Sequence, residues 1–301
     1  MKTKNHKYLI LLVIVTITGC LRLDENLYRQ ISLDTGYGFE SFTGEQEILL
    51  DDTFSQIPEE NINLLAIPSQ GPDETEVTTI YSVYVGDTST IAEDTVILYC
   101  HGNRDHLDFY WTRIKLLANT GGLFNYGVMA MDYRSFGLSE GEPSEIGMRY
   151  DVEACLQWLS DRGLTGDRLI MYGFSLGSIP AISLCADPGI MNPVKLILEA
   201  PIGSIELMVQ DGGGLALPAS FFTDLTANNV EVIKDADQPL LWLHGTDDSF
   251  LRIDGHGQPI FDNHNGPYKE AYKVEGAEHG DLPVVMGFPE YLEAVHSFVR
   301  K

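Results

Sequence analysis

Five apolar runs confine this chain to very few architectures. They are TVILYC (Thr95 to Cys100), YGVMAMDY (from Tyr126), RLIMYGF (from Arg168), VKLILEAP (from Val194) and PLLWLHG (from Pro239). A strand with one wet face alternates apolar and polar residues, whereas an unbroken apolar strand must be covered on both faces. That is the condition of a parallel sheet held between helices. Helical spacing appears between the runs. In EIGMRYDVEACLQWLSDRG, Tyr150, Ala154 and Trp158 recur every fourth residue and Gly163 supplies a stop. The closing FPEYLEAVHSFVRK carries Leu292, Val295 and Val299 at three- and four-residue steps, with basic residues in its last turn. TTIYSVYVGD, in partial alternation, predicts an earlier strand, and the more polar YKEAYKVEGA a late one nearer the sheet edge. Strand and helix in alternation predict an α/β fold, a mostly parallel central sheet with helices on both faces.

The first residues stand apart from this pattern. Lys2, Lys4 and Lys7 precede an apolar run from Tyr8 to Thr18, and Gly19-Cys20 follows. This is the layout of a signal peptide, and its apolar run is shorter than the roughly 20 residues a bilayer-spanning helix needs. Gly19-Cys20 resembles the bacterial lipobox, which implies cleavage after residue 19 and a lipid on Cys20, with an ordinary secretory signal or a short anchor as the alternatives. Leu21, in place of an Asp, resembles lipoproteins of the outer rather than the inner membrane of a diderm cell. Residues 20–45, polar and Gly-containing without a period, are expected to form a tether, and residues 46–301 the globular domain. A formal charge of −25 argues against nucleic acid or anionic lipid as a partner for a basic patch. With Cys20 set aside, Cys100, Cys155 and Cys185 are odd in number and lie in apolar stretches, where they read as small buried hydrophobes.

Gly173-Phe174-Ser175-Leu176-Gly177 spells G-x-S-x-G between an apolar strand and the helix-like SIPAISLCAD. In that context the serine sits on a tight strand-to-helix turn, with its hydroxyl presented at the carboxyl end of the sheet. A serine needs a base, and the base an orienting carboxylate. Asp247 and Asp248 follow PLLWLHG, and His279 follows the next strand, in the order Ser, acid, His. His264 is the rival base, although no strand closely precedes it. His101 and His244 sit in His-Gly pairs at strand ends and read as buried structural groups, while His106, His256, His264 and His296 read as loop or helix-face residues in water. Donors for a developing oxyanion are expected from the backbone N–H of Leu176 and of Asn103, which follows VILYCHG.

Together HGN, DYRSFGLSEGEPSE, YGFSLGS, HGTDDSF and GAEH resemble the α/β-hydrolase superfamily, more narrowly its ABHD-type branch, over residues 46 to 301. The family pattern His-Gly-x-x-Asp makes Asp248 the acid in preference to Asp247. The resemblance implies a triad of Ser175, Asp248 and His279 with Asn103 and Leu176 as the oxyanion hole. Ser135 stands where the family usually has Gly. The function implied is a lipid-anchored serine hydrolase of the carboxylesterase type acting on a small acyl substrate, with no metal or organic cofactor. A peptidase or amidase of the same fold and a non-catalytic binding lipoprotein are the alternatives. The irregular region 202–238, with Gly212-Gly213-Gly214 and Phe221-Phe222, is expected to be a cap or a connecting helix pair.

Overall fold

The computed structural model describes residues 28–213, 223 and 225–301. The proposed signal peptide, the lipid acceptor Cys20, Gly214 and Phe221-Phe222 lie outside the described residues.

Eight strands form one sheet: β1 (Ile62–Ser69), β2 (Thr78–Val85), β3 (Val96–Cys100), β4 (Gly127–Met131), β5 (Leu169–Phe174), β6 (Lys195–Glu199), β7 (Leu240–Gly245) and β8 (Lys269–Val274). Their spatial order is β1-β2-β4-β3-β5-β6-β7-β8. Only β2 runs against its neighbours, β1 and β4; every other pair is parallel. The five apolar runs became the five central strands β3 to β7, in which every residue is buried.

Two layers of side chains leave each of these strands. Val96, Leu98 and Cys100 of β3 join a core with Met171, Leu196 and Leu240, whereas Ile97 and Tyr99 face the opposite core with Tyr172, Ile197 and Leu241. The first core is closed by α2 (Glu145–Ser160) through Val152, Cys155 and Leu159, and by α3 (Ser178–Ala186) through Ile182 and Cys185. The second is closed by α1 (Leu107–Ala118) through Ile114 and Leu117, and by α6 (Phe288–Arg300) through Val295 and Phe298. Each fully buried aliphatic or aromatic side chain contributes about 1.5–3 kcal/mol. Cys100, Cys155 and Cys185 are free thiols inside the first core.

The edges depart from the apolar pattern for a physical reason. β8 is the half-exposed edge its polarity suggested. At the other edge, β1 was not legible, because Asn63 and Pro68 interrupt it; an edge strand tolerates a missing N–H where a central one does not.

Residues 28–45 do not hang free as a tether. Tyr28 is buried, and Arg29–Gln30 pairs in parallel with Arg104–Asp105. Tyr37 donates to Asp132 at 2.6 Å, and the amides of Gly38 and Phe39 donate to Asp108 at 2.8 and 2.6 Å. Gly44 passes so close to α1 that a Cβ there would lie 2.4 Å from the Phe109 carbonyl oxygen. The segment is a strap folded onto the domain, held by hydrogen bonds from Tyr37, Gly38 and Phe39 to carboxylates of the domain.

Beyond Asp248 the chain forms α5 (Gly257–Asn263), and the histidines that flank it, expected in water, are interior. His256 and His264 are both buried, as is His106. Within 202–238, α4 (Ile205–Gly213) contributes Ile205, Met208 and Val209 to the first core.

Candidate active site

The turn after β5 carries Ser175 at φ +51°, in the left-handed region. A non-glycine residue pays roughly 1–2 kcal/mol there, and such strain persists where packing over-determines it. Here β5 and α3 are both locked into the core and leave only a one-turn 3₁₀ connection, Ser175–Gly177. The two glycines are required by space. A Cβ on Gly173 would meet Gly177 O and Ser178 Cα at 2.8 Å, and one on Gly177 would lie 2.0 Å from Cys100 O. The chain thus passes flush against β3 and leaves Ser175 at the sheet's carboxyl end.

His279 lies beyond β8 and Asp248 beyond its parallel neighbour β7. His279 Nε2 is 2.9 Å from Ser175 Oγ, and its Nδ1 is 2.8 Å from Asp248 Oδ2. With the Nδ1 proton donated to the carboxylate, Nε2 is left to accept the serine proton. Asp248 Oδ1 accepts the amides of Phe250 and Leu251 at 3.0 and 2.7 Å. Burial would raise this carboxyl, yet hydrogen bonds from His244 and His279 outweigh it and hold the group well below the usual carboxylate range. The acid stays ionised throughout the neutral range.

His244 has a part that sequence did not disclose beyond its burial. Trp242 Nε1 donates to His244 Nδ1 at 3.2 Å, which leaves the proton on Nε2, 3.3 Å from Asp248 Oδ2 and 2.8 Å from the Leu251 carbonyl. Asp247, by contrast, is exposed and accepts from Thr246. His264 is turned inward to the Gln238 carbonyl at 2.9 Å, away from Ser175. His101 is fully buried beside Asp132.

The His279 ring lies between two aromatic rings. Phe174 stacks on it with centroids 5.4 Å apart, and Phe250 meets it edge-on at 5.1 Å. Phe174 is the variable position inside the serine motif, and its aromatic identity was the one available signal. A cavity of about 290 Å³ opens over these groups, lined by Gly102, Asn103, Tyr110, Ser175, Phe250 and His279 together with Arg29 and Glu45 of the strap and Glu47 just after it. Leu176 is buried in the turn directly after Ser175, and Asn103 adjoins the same cavity. The Asn103 side chain is occupied in accepting the Arg29 amide at 3.0 Å.

The arrangement can move a proton from a serine hydroxyl to an imidazole beside a cavity of small-molecule size. Three comparisons bear on it. The family described as "Serine aminopeptidase, S33" matches residues 92–231. Human alpha/beta hydrolase domain-containing protein 17B is 29% identical over 210 residues, covering 68% of this chain and 66% of that protein. The mouse 17C protein is 27% identical over 206 residues, covering 67% of this chain and 59% of its own. The chain thus spans just under two thirds of the length of these curated relatives. Among solved structures, an esterase of Pyrococcus furiosus superposes with a TM-score of 0.64 at 17% identity, covering 91% of this chain and 97% of the esterase. An esterase of Rhodococcus sp. does so with 0.59 at 20%, covering 80% and 99%. At such identities these structures establish the fold alone.

Proposed function

We propose that this chain, which belongs to the α/β-hydrolase superfamily, is a lipid-anchored serine hydrolase of the carboxylesterase type, cleaving an ester or thioester through an acyl-enzyme on Ser175. The observation that carries the reading is the unbroken chain of two hydrogen bonds from Ser175 through His279 to Asp248, 2.9 and 2.8 Å long. Ser175 Oγ attacks the acyl carbon as its proton passes to His279 Nε2. Asp248 fixes the imidazole in the tautomer with its proton on Nδ1 and stabilises the imidazolium. The backbone N–H groups of Leu176 and Asn103 receive the oxyanion. His279 returns the proton to the leaving group; water, deprotonated by the same His279, then attacks the acyl carbon, and that proton passes to Ser175 Oγ as the acyl group departs as the acid. The proton count closes at each step within these residues.

A peptidase or amidase reading is favoured by the description of the matched family. Glu47 on the cavity wall supplies a carboxylate for a substrate's α-ammonium group. A panel of p-nitrophenyl esters of graded chain length, run beside aminoacyl anilides, separates the two by kcat/KM. The esters are expected to be turned over faster.

The catalytic reading is tested with a fluorophosphonate probe. Wild-type protein is expected to be labelled and Ser175→Ala to remain unlabelled, with kcat lowered by at least about 10⁴-fold, as for the loss of a triad nucleophile. A folded wild type that takes no label means that the pocket binds without catalysing.

A further inference from the structure

This inference rests on the Ser175 reading and concerns what holds His279. Arg113 of α1 is fully buried. Its Nη2 donates at 3.0 Å to the carbonyl of Gly280, the residue that follows His279, and its guanidinium lies 4.3 Å from the Phe174 ring centroid. Phe174 in turn stacks on the His279 imidazole. One side chain therefore fixes both the backbone that carries the base and the ring that supports it. The fork is itself held by two carboxylates. Glu199, at the end of β6, accepts from Nη1 at 2.5 Å, and Glu45 of the strap accepts from Nε at 3.2 Å and Nη2 at 2.8 Å.

A buried ion triad is a poor choice for stability alone, since apolar residues of equal volume serve as well or better. A planar fork, however, meets four partners in fixed directions, which neither an apolar chain nor an ammonium does. Two of those partners form walls of the slot in which His279 must reach Ser175 and Asp248 simultaneously. We propose that Arg113 is the positioning residue for His279 and that Glu45, carried on the N-terminal strap, orients Arg113. The strap then completes the active site and is more than a cover over it.

The test uses the full chain and compares wild type with Arg113→Lys and Glu45→Gln. Arg113→Lys keeps the charge and loses the fork; Glu45→Gln keeps the shape and loses the paired acceptors. The readouts are hydrolysis of p-nitrophenyl butyrate, the rate of fluorophosphonate labelling of Ser175, and the downfield Nδ1 proton resonance of His279. A base displaced by a fraction of an ångström to 1 Å predicts that kcat and the labelling rate fall together by about 10–100-fold, with KM changing less than about threefold. The His279 resonance is expected to shift or broaden. Folded variants with wild-type kcat, labelling and resonance overturn the proposal, even if their melting temperature falls. If Arg113→Lys does not fold, Glu45→Gln decides alone. A wild type without label counts against Ser175 as nucleophile, and the His279 resonance then still decides the role of Arg113.

Discussion

Two serines with positive φ show how one backbone conformation serves different ends. Ser175 at +51° cannot become glycine without losing the proposed nucleophile, so its strain stays with the function. Ser135 at +71° has no such bond to chemistry; its hydroxyl is buried without a hydrogen-bond partner among the described residues. Glycine there relieves roughly 1–2 kcal/mol of left-handed strain and loses about 0.5–1 kcal/mol to its freer unfolded chain. Ser135→Gly is therefore expected to stabilise the protein by about 0.5–1 kcal/mol and raise Tm by about 1–2 °C. A thermal melt that shows no rise, or a fall, contradicts the account.

At the scale of elements, the loop after β6 is pinned to the start of α5 by His256, whose Nδ1 accepts the Gly203 amide at 2.9 Å while its Nε2, 3.7 Å from Asp211, has no hydrogen-bond partner among the described residues. Burial pushes its pKa down to about 4, against a smaller opposing pull from Asp211. The unfolded chain takes up this proton near pH 6.5, whereas the folded chain resists until about 4. Between those values the unfolded state binds more protons, so stability falls as pH falls, by a total on the order of 3 kcal/mol. His256→Asn keeps an acceptor for Gly203 and removes the titration. Urea unfolding between pH 7 and 4 is expected to show the wild-type advantage shrinking across this window; a constant difference would contradict the linkage. The same element view explains the strap. Its Phe39 packs on Trp111 with centroids 4.6 Å apart, and Glu40 accepts from Trp111 and Lys115 at 2.8 Å each, pairings invisible in a stretch with no period.

For the whole molecule, the strap sets the distance between the proposed anchor and the site. Tyr28 is already docked, so eight peptide steps separate it from Cys20. A fully extended chain covers at most about 3.3–3.6 Å per residue, which keeps Tyr28 within roughly 30 Å of the anchored Cys20. Because Arg29 lines the candidate cavity, a protein lipidated on Cys20, as proposed, would hold that cavity near the bilayer surface. Among the described residues no helix is long and apolar enough to cross a membrane. Cys20→Ser is expected to move the protein from the membrane to the soluble fraction with its p-nitrophenyl esterase activity unchanged. Mutant protein that stays in the membrane fraction refutes lipidation as the anchor.

The sequence by itself determined the central strands of the sheet and the chain order of the candidate site residues along it. Unbroken apolar runs have one stable home, the interior of a parallel sheet; Ser175 and Asp248 each follow such a strand and His279 follows the more polar edge strand, so their succession along the chain could be read directly. Asp248 over Asp247 needed the family pattern as well as the strand. Tertiary structure alone decided which polar groups leave water. His106, His256 and His264 read as solvated because nothing local distinguishes a histidine that will meet a backbone partner inside the fold. Nothing local in the sequence marks Arg113, and residues 28–45 read as a tether, because the two carboxylates that make a buried guanidinium tolerable, Glu45 and Glu199, stand 68 and 86 residues away in the chain. A charge is buried only when its partners are brought to it, and that is a property of the folded chain rather than of any stretch within it.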